Sequence, residues 1–231
     1  MDERSLSRSF GNSLTAEVSE IAGEYAELGL DILLEDGIFK DIPVVSTAVA
    51  VYRIGNSIRE RHHIKKLISF LNEFNKGIAD DDKRQSYRDK FASDERFRNQ
   101  QLEYILVLID RYISFDKPQM LAKLYQAYLD EKIIWEEFTM YAEVIDRFLL
   151  LDCGTLISDS KEFVVPRGIV GGESIFRLVA LGLMAEVTNT SAFEEHGDNI
   201  SMTSETLTRS ISTDKVFRRT DFGEKLANIL R

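Results

Sequence analysis

The side chains able to do chemistry are few, and their spacing does not assemble a catalytic set. Three histidines occur, His62, His63 and His196. Neighbours on a helix point about 100° apart, so His62 and His63 cannot reach one metal ion from a regular helix. Neither stands in an HExxH frame, and both are expected on the surface of a basic segment. His196 lies among Glu194, Glu195 and Asp198, which reads as a solvated loop before it reads as a divalent-cation site. The run Asp80-Asp81-Asp82 lacks the alternating oxygens, central glycine and twelfth-position glutamate of a calcium loop, and Lys83 and Arg84 follow it. It predicts the start of a helix. Cys153 sits between Asp152 and Gly154, and an adjacent carboxylate opposes thiolate formation, so a structural thiol is expected. Gly168, Gly171 and Gly172 form neither a dinucleotide fingerprint nor a phosphate loop, no G-x-S-x-G occurs, and Glu136-Glu137 reads as helix surface. No metal, cofactor or catalytic role is therefore assigned to any residue, and a non-enzymatic protein is expected.

The elements that would carry these residues are mostly helical. Three prolines and 13 glycines in 231 residues leave little of the punctuation that a turn-rich β fold needs. The 44% hydrophobic and 29% charged fractions are those of a chain that buries a core. Residues 1–13 read as a polar tail. Helical periodicity begins at Thr15 and stops at Asp36-Gly37. Asp41 and Pro43 open a run extending to about Asn75, with Gly55 as a point of bending. A short polar helix follows Asp80. The next stripe holds Leu102, Ile105, Leu106, Ile109, Tyr112 and Ile113. After a stop at Asp116-Lys117-Pro118 come the stripes Leu121, Leu124, Tyr125, Tyr128 and then Trp135, Phe138, Ala142, Ile145, Phe148, Leu149. Short connections between these segments predict antiparallel neighbours in a bundle.

Beyond Gly154 the pattern changes to a loop around Pro166–Gly172, a helix from about Glu173 to Leu183 closed by the Leu181-Gly182-Leu183 turn, a strand over 187–190, a polar loop, β-like alternation over 200–212 and 215–219, and a final helix. Thr220 or Asp221 caps that helix, with Asp221 and Glu224 at capping-box spacing. The expected architecture is mainly α: a polar tail over 1–13, a helical bundle over 14–158, and a small α+β, winged-helix-like module over 159–231. The segments 177–184 (RLVALGLM) and 218–226 (RRTDFGEKL) carry the likeness to a winged helix. The second has a threonine, an aromatic and a glycine opening a final helix.

Charge narrows the partner classes. The chain carries −10 overall, which argues against general phosphate attraction. Residues 1–41 hold ten acids and three bases, and residues 42–80 hold six bases and three acids. Either the acidic first helix packs beside the basic second one, or the basic segment meets an anionic partner. The stretch Ile42 to Ile54 is apolar almost all round. It reads as a central core helix, with membrane contact as the alternative, in which Val45 and Val49 enter the bilayer and Arg59, Arg61, Lys65 and Lys66 meet headgroups. In the module, residues 165–231 hold eight bases and nine acids. Protein contact is thus expected over DNA, with Arg177, Arg209, Lys215, Arg218 and Arg219 as the cations for a nucleic-acid or partner alternative. One cysteine, no apolar leader and no apolar window of spanning length suggest a cytoplasmic location, peripheral to the inner membrane in the alternative.

The segments 40–45 (KDIPVV), 116–124 (DKPQMLAKL) and 180–183 (ALGL) resemble those of a widespread bacterial family of uncharacterised helical proteins. The resemblance implies a fold and no chemistry. It suggests an interaction or regulatory protein in a bacterial stress or phage-defence setting, with a protein partner of unknown identity.

Overall fold

The computed structural model describes residues 9–14, 58–78, 81–166, 172–187 and 215–231. The chain is mainly α and divides into two units, Met1–Arg147 and Phe148–Arg231.

Among the described residues of the first unit, 9–14 are helical, and five longer helices are α1 (Ile58–Lys76), α2 (Asp81–Ser93), α3 (Glu95–Arg111), α4 (Asp116–Leu129) and α5 (Trp135–Arg147). The three stripes from Leu102 to Ile145 form the buried faces of α3, α4 and α5, and α4 is buried most fully, as the element in the middle. Its partners fix the directions. Gln101 of α3 donates to the Tyr128 hydroxyl near the end of α4 (2.7 Å), and Lys117 at the start of α4 donates to the Asp146 carbonyl at the end of α5 (2.7 Å), so α4 runs antiparallel to both neighbours. An aromatic seam fills the centre, with Phe74 against Tyr87 and Tyr125, and Trp135 stacked on Phe138 at 4.7 Å.

Several expectations change here. Residues 9–13 are not a loose tail: Phe10 and Leu14 are fully buried, and Phe10 meets Phe70 at 5.4 Å. Ile113 leaves the apolar stripe because α3 ends at Arg111; the connection turns it outward, where it is 86% exposed. The expected first helix over 15–36 and the apolar stretch 42–54 lie outside the described residues.

The second unit opens with a 3₁₀ turn (Leu150–Asp152) and α6 (Cys153–Ile157). It continues through β1 (Phe163–Val165), α7 (Glu173–Ala180), β2 (Met184–Glu186), β3 (Lys215–Arg219) and α8 (Asp221–Leu230). The sheet is antiparallel in the order β1-β3-β2, with Val164 opposite Val216 and Ala185 opposite Arg218. Residues 148–158 thus belong to the module rather than to the bundle. The 3₁₀ turn is bound to α7, and the carbonyls of Leu156, Ile157 and Ser158 accept from Arg219 and Arg231. Strand β1 lies just before the expected Pro166–Gly172 loop, in a stretch for which the sequence predicts no element, and β2 ends at Glu186, directly before the expected 187–190 strand begins; 188–190 lie outside the described residues, as do 200–212.

The final helix shows why its opening residues are what they are. Thr220 is the N-cap: its Oγ1 accepts from the Gly223 N–H (3.0 Å) and donates to the Gly182 carbonyl (2.7 Å). The capping box expected from Asp221 does not form, because Thr220 takes the cap and Glu224 binds Arg219. At Gly223 the helix passes so close to the chain at Leu183 that a Cβ would lie 2.8 Å from the Leu183 carbonyl carbon and 3.0 Å from its Cα. No side chain fits there. Gly182 itself takes φ 73°, closing α7 with the left-handed residue that the sequence places at that turn.

Candidate functional site

The basic segment of α1 meets the end of α3 through a stripe of polar side chains at four- and three-residue spacing, which helical geometry aligns on one face. His62 Nε2 donates to the Ile113 carbonyl at 2.7 Å, and its ring packs on Phe115. Lys66 Nζ donates to the Asp110 carbonyl (2.7 Å) and the Tyr112 carbonyl (2.8 Å). Ser69 Oγ donates to the Phe115 carbonyl at 2.8 Å. Carbonyls at the end of a helix lack intrahelical donors, and here a neighbouring helix supplies them. His63 lies beside Asp110, Nδ1 to Oδ1 3.2 Å, and Arg59 reaches the same carboxylate at 3.5 Å.

Two expectations are corrected by this geometry. His63 is buried, not a surface residue. Burial holds its pKa below the ordinary 6.5; Asp110 offsets this in part, and the Lys66 and Arg59 charges add to it. Lys66 is 3% exposed, with its ammonium occupied by backbone carbonyls, so it does not face headgroups. Burial likewise lowers its pKa. Arg59 remains outward at 85% exposure, and Lys65 is half-buried on the same helix. The side chain of Arg61 and the residues Val45 and Val49 lie outside what the structure describes.

At the other end of the first unit, the last turns of α2 and α4 and the first turns of α3 and α5 enclose a cleft of about 560 Å³. Phe91, Tyr128, Leu129 and Trp135 give it apolar walls, and Lys90, Arg98, Asp94 and Glu136 its charged rim. Glu131 closes one side with a left-handed backbone (φ 60°), and Lys90 Nζ ties Glu131 (2.7 Å) to the Leu129 carbonyl (2.5 Å). The volume is that of a small-ligand site. Its lining contains neither histidine nor cysteine, so it offers binding groups and carboxylates.

In the module, each described cation named for phosphate contact meets a carboxylate of the same unit. Arg177 grips the fully buried Asp152 with two prongs, Nε to Oδ2 at 2.8 Å and Nη2 to Oδ1 at 2.6 Å, while Ser174 donates to Oδ1 at 2.6 Å. Arg177 and Ser174 hold the Asp152 carboxyl below its ordinary 3.8, against the opposing effect of burial. Lys215 pairs with Glu186 at 2.8 Å, and Arg218 with Glu162. Arg219 is not an outward wing cation: its side chain is 5% exposed and binds Glu224 and the carbonyls of Leu156 and Ser158. Arg209 and His196 lie outside the described residues. Around these pairs, Leu151, Val164 and Phe176 are exposed.

Cys153 starts α6 and is half-buried. Among the described residues, no group of three histidines, cysteines or carboxylates is placed to hold a metal ion, and no helix is long and apolar enough to cross a membrane. Sequence reasoning missed the Asp152 cluster because its members lie 22 and 25 positions apart. It missed the outward Ile113 because periodicity alone does not show where α3 stops. No family model, no curated protein and no solved structure matches this chain.

Proposed function

We propose that the chain acts as a non-enzymatic interaction protein, making contact with a protein partner through the surface of its C-terminal module. The observation that carries this reading is the internal pairing of Arg177, Lys215, Arg218 and Arg219. Cations already neutralised by carboxylates release few counterions from a phosphate backbone, and that release is the main source of nucleic-acid affinity. The apolar side chains left outward, Leu151, Val164 and Phe176, are the kind that protein interfaces cover. A cytoplasmic location and a bacterial stress or phage-defence setting belong to the same proposal. They are supported by the single cysteine and by the resemblance drawn from KDIPVV, DKPQMLAKL and ALGL.

The test is a native pull-down with the full chain, run beside the variants Leu151→Asp and Phe176→Asp. The expected result is one stoichiometric protein retained by the parent chain and lost from both variants, whose folding is checked by circular dichroism. Retention by both variants would remove the module surface from the account. A duplex-DNA titration at two salt concentrations covers the alternative. Tight binding that collapses with salt and depends on Arg218 would replace protein contact with DNA contact.

A further inference from the structure

The cleft between the last turns of α2 and α4 and the first turns of α3 and α5 is walled by rings that other rings hold in place. Trp135 is stacked on Phe138 at 4.7 Å, Phe91 on Tyr125 at 6.4 Å, and Tyr128 stands across the indole at 5.4 Å and 64°. Rings braced in this way keep their positions when a flat molecule stacks on them, so little side-chain entropy is lost.

The polar groups behind these walls are left incomplete. Tyr125 is fully buried, yet its hydroxyl has no hydrogen-bond partner among the described residues. Burial pushes its pKa far above the ordinary 10, so the hydroxyl keeps its proton, and its electrostatic neighbours are Tyr128 and Arg98. Both of these line the cleft, and the Tyr125 and Tyr128 rings stack at 6.0 Å. The unpaired hydroxyl therefore lies against the cleft and not in a remote part of the core. It costs free energy that a phenylalanine in the same place would avoid. Gln101, only 4% exposed, gives its Nε2 to the Tyr128 hydroxyl at 2.7 Å. Tyr128 keeps its own hydrogen to donate, and Gln101 Oε1 accepts from none of the described residues. Two hydroxyl donors and one amide acceptor are thus grouped without complements.

Charge narrows the ligand class. The lining carries Lys90 and Arg98 against Asp94, Glu131 and Glu136. Lys90 is taken up by Glu131 and the Leu129 carbonyl, and Arg98 gives Nη1 to the Phe91 carbonyl at 2.5 Å. No excess of positive charge is offered to a phosphate or a carboxylate. A quaternary ammonium would suit the rings but would leave the hydroxyl donors unused. A flat ring with both acceptors and donors on its edge uses all of them.

We propose that this cleft binds a neutral, planar heteroaromatic molecule of nucleobase size. Its faces stack on the aromatic walls, its ring acceptors meet the Tyr125 and Tyr128 hydroxyls, and a ring N–H or amino group meets Gln101 Oε1. The site lies within the first unit and is independent of the protein-contact role of the module.

The chain contains a single tryptophan, and it stands in the cleft wall, so the indole fluorescence of the full-length protein reports on this site. Titration with adenine and with uracil, followed by fluorescence and by calorimetry, is expected to show saturable binding of at least one of the two. AMP should bind no tighter than adenosine, and benzyltrimethylammonium more weakly than the better base. Tyr125→Phe is the decisive variant. It should weaken binding about tenfold, while its unfolding midpoint stays at or above that of the parent because an unsatisfied group has been removed. Trp135→Leu, followed by calorimetry, should weaken binding as well. The proposal falls if neither base binds saturably, or if either variant binds as tightly as the parent chain. It also falls if AMP binds tenfold tighter than adenosine, which would mark an anion site, or if benzyltrimethylammonium outbinds both bases, which would mark a cation cage. A lowered unfolding midpoint for Tyr125→Phe would show that the hydroxyl is already satisfied and would overturn the reasoning at its source.

Discussion

Replacing Gly223 with alanine adds one methyl group where the structure has no room for it. The new Cβ would stand 2.8 Å from the Leu183 carbonyl carbon and 3.0 Å from its Cα, and ordinary carbon contacts begin at about 3.5 Å. Backbone cannot rotate away as a side chain can, so α8 must slide outward. That movement strains three bonds: Thr220 N–H to the Leu183 carbonyl (3.1 Å), Thr220 Oγ1 to the Gly182 carbonyl (2.7 Å), and Gly223 N–H to Thr220 Oγ1 (3.0 Å). At about 1 kcal/mol each these amount to about 3 kcal/mol, against which alanine returns up to about 1 kcal/mol of helix propensity. The expected net loss is about 2 kcal/mol. Gly154→Ala is the matched comparison: it also adds a methyl to a helical glycine, but nothing lies within 4 Å of the new Cβ, so it should stabilise by about 0.5 kcal/mol or more. Urea denaturation followed at 222 nm measures both, and amide exchange along α8 localises the effect. Equal midpoints for the two variants, or a Gly223→Ala midpoint at or above that of the parent chain, would refute the close-approach argument.

Three further outcomes follow from the polar contacts. Lys66→Met keeps the length of the side chain but leaves the carbonyls of Asp110 and Tyr112 without their donor, so it should destabilise by about 2 kcal/mol in urea denaturation. For His63, burial depresses the folded pKa below 6.5, with Asp110 opposing and Lys66 and Arg59 assisting. The unfolded chain therefore binds the extra proton first, and stability is full above 6.5 and falls as the pH drops below it, by at most about 1.4 kcal/mol per unit. His63→Gln should flatten that slope in melts between pH 7 and pH 5. Asp152 has the carboxylate pattern: held below 3.8 by Arg177 and Ser174, it contributes above that value and loses its contribution as the pH falls through the folded pKa. Asp152→Asn should lower the melting temperature at neutral pH and remove this part of the acid sensitivity, as a calorimetric pH series would show.

Features that depend on near neighbours along the chain could be read from residue order alone. The stripes of α3, α4 and α5 are legible because a helix repeats every few residues and one of its faces must be apolar to be buried. The starts at Asp81 and Asp116, the closing turn at Gly182 and the Thr220 cap were legible for the same reason, each being a local backbone requirement met by a local residue type. Tertiary structure decided where each stripe ends in space and which polar groups are spent. Ile113 continues the period of α3 yet stands outside, because the helix stops two residues earlier and the connection is secured from α1. Lys66 belongs to a basic run but is buried, because its acceptors are carbonyls 44 and 46 positions away. Arg219 sits in the sequence beside Arg218, and the sheet's alternation turns one inward to carbonyls and the other out to Glu162. Composition counts a charge, but only packing determines whether that charge faces a partner or holds the fold together.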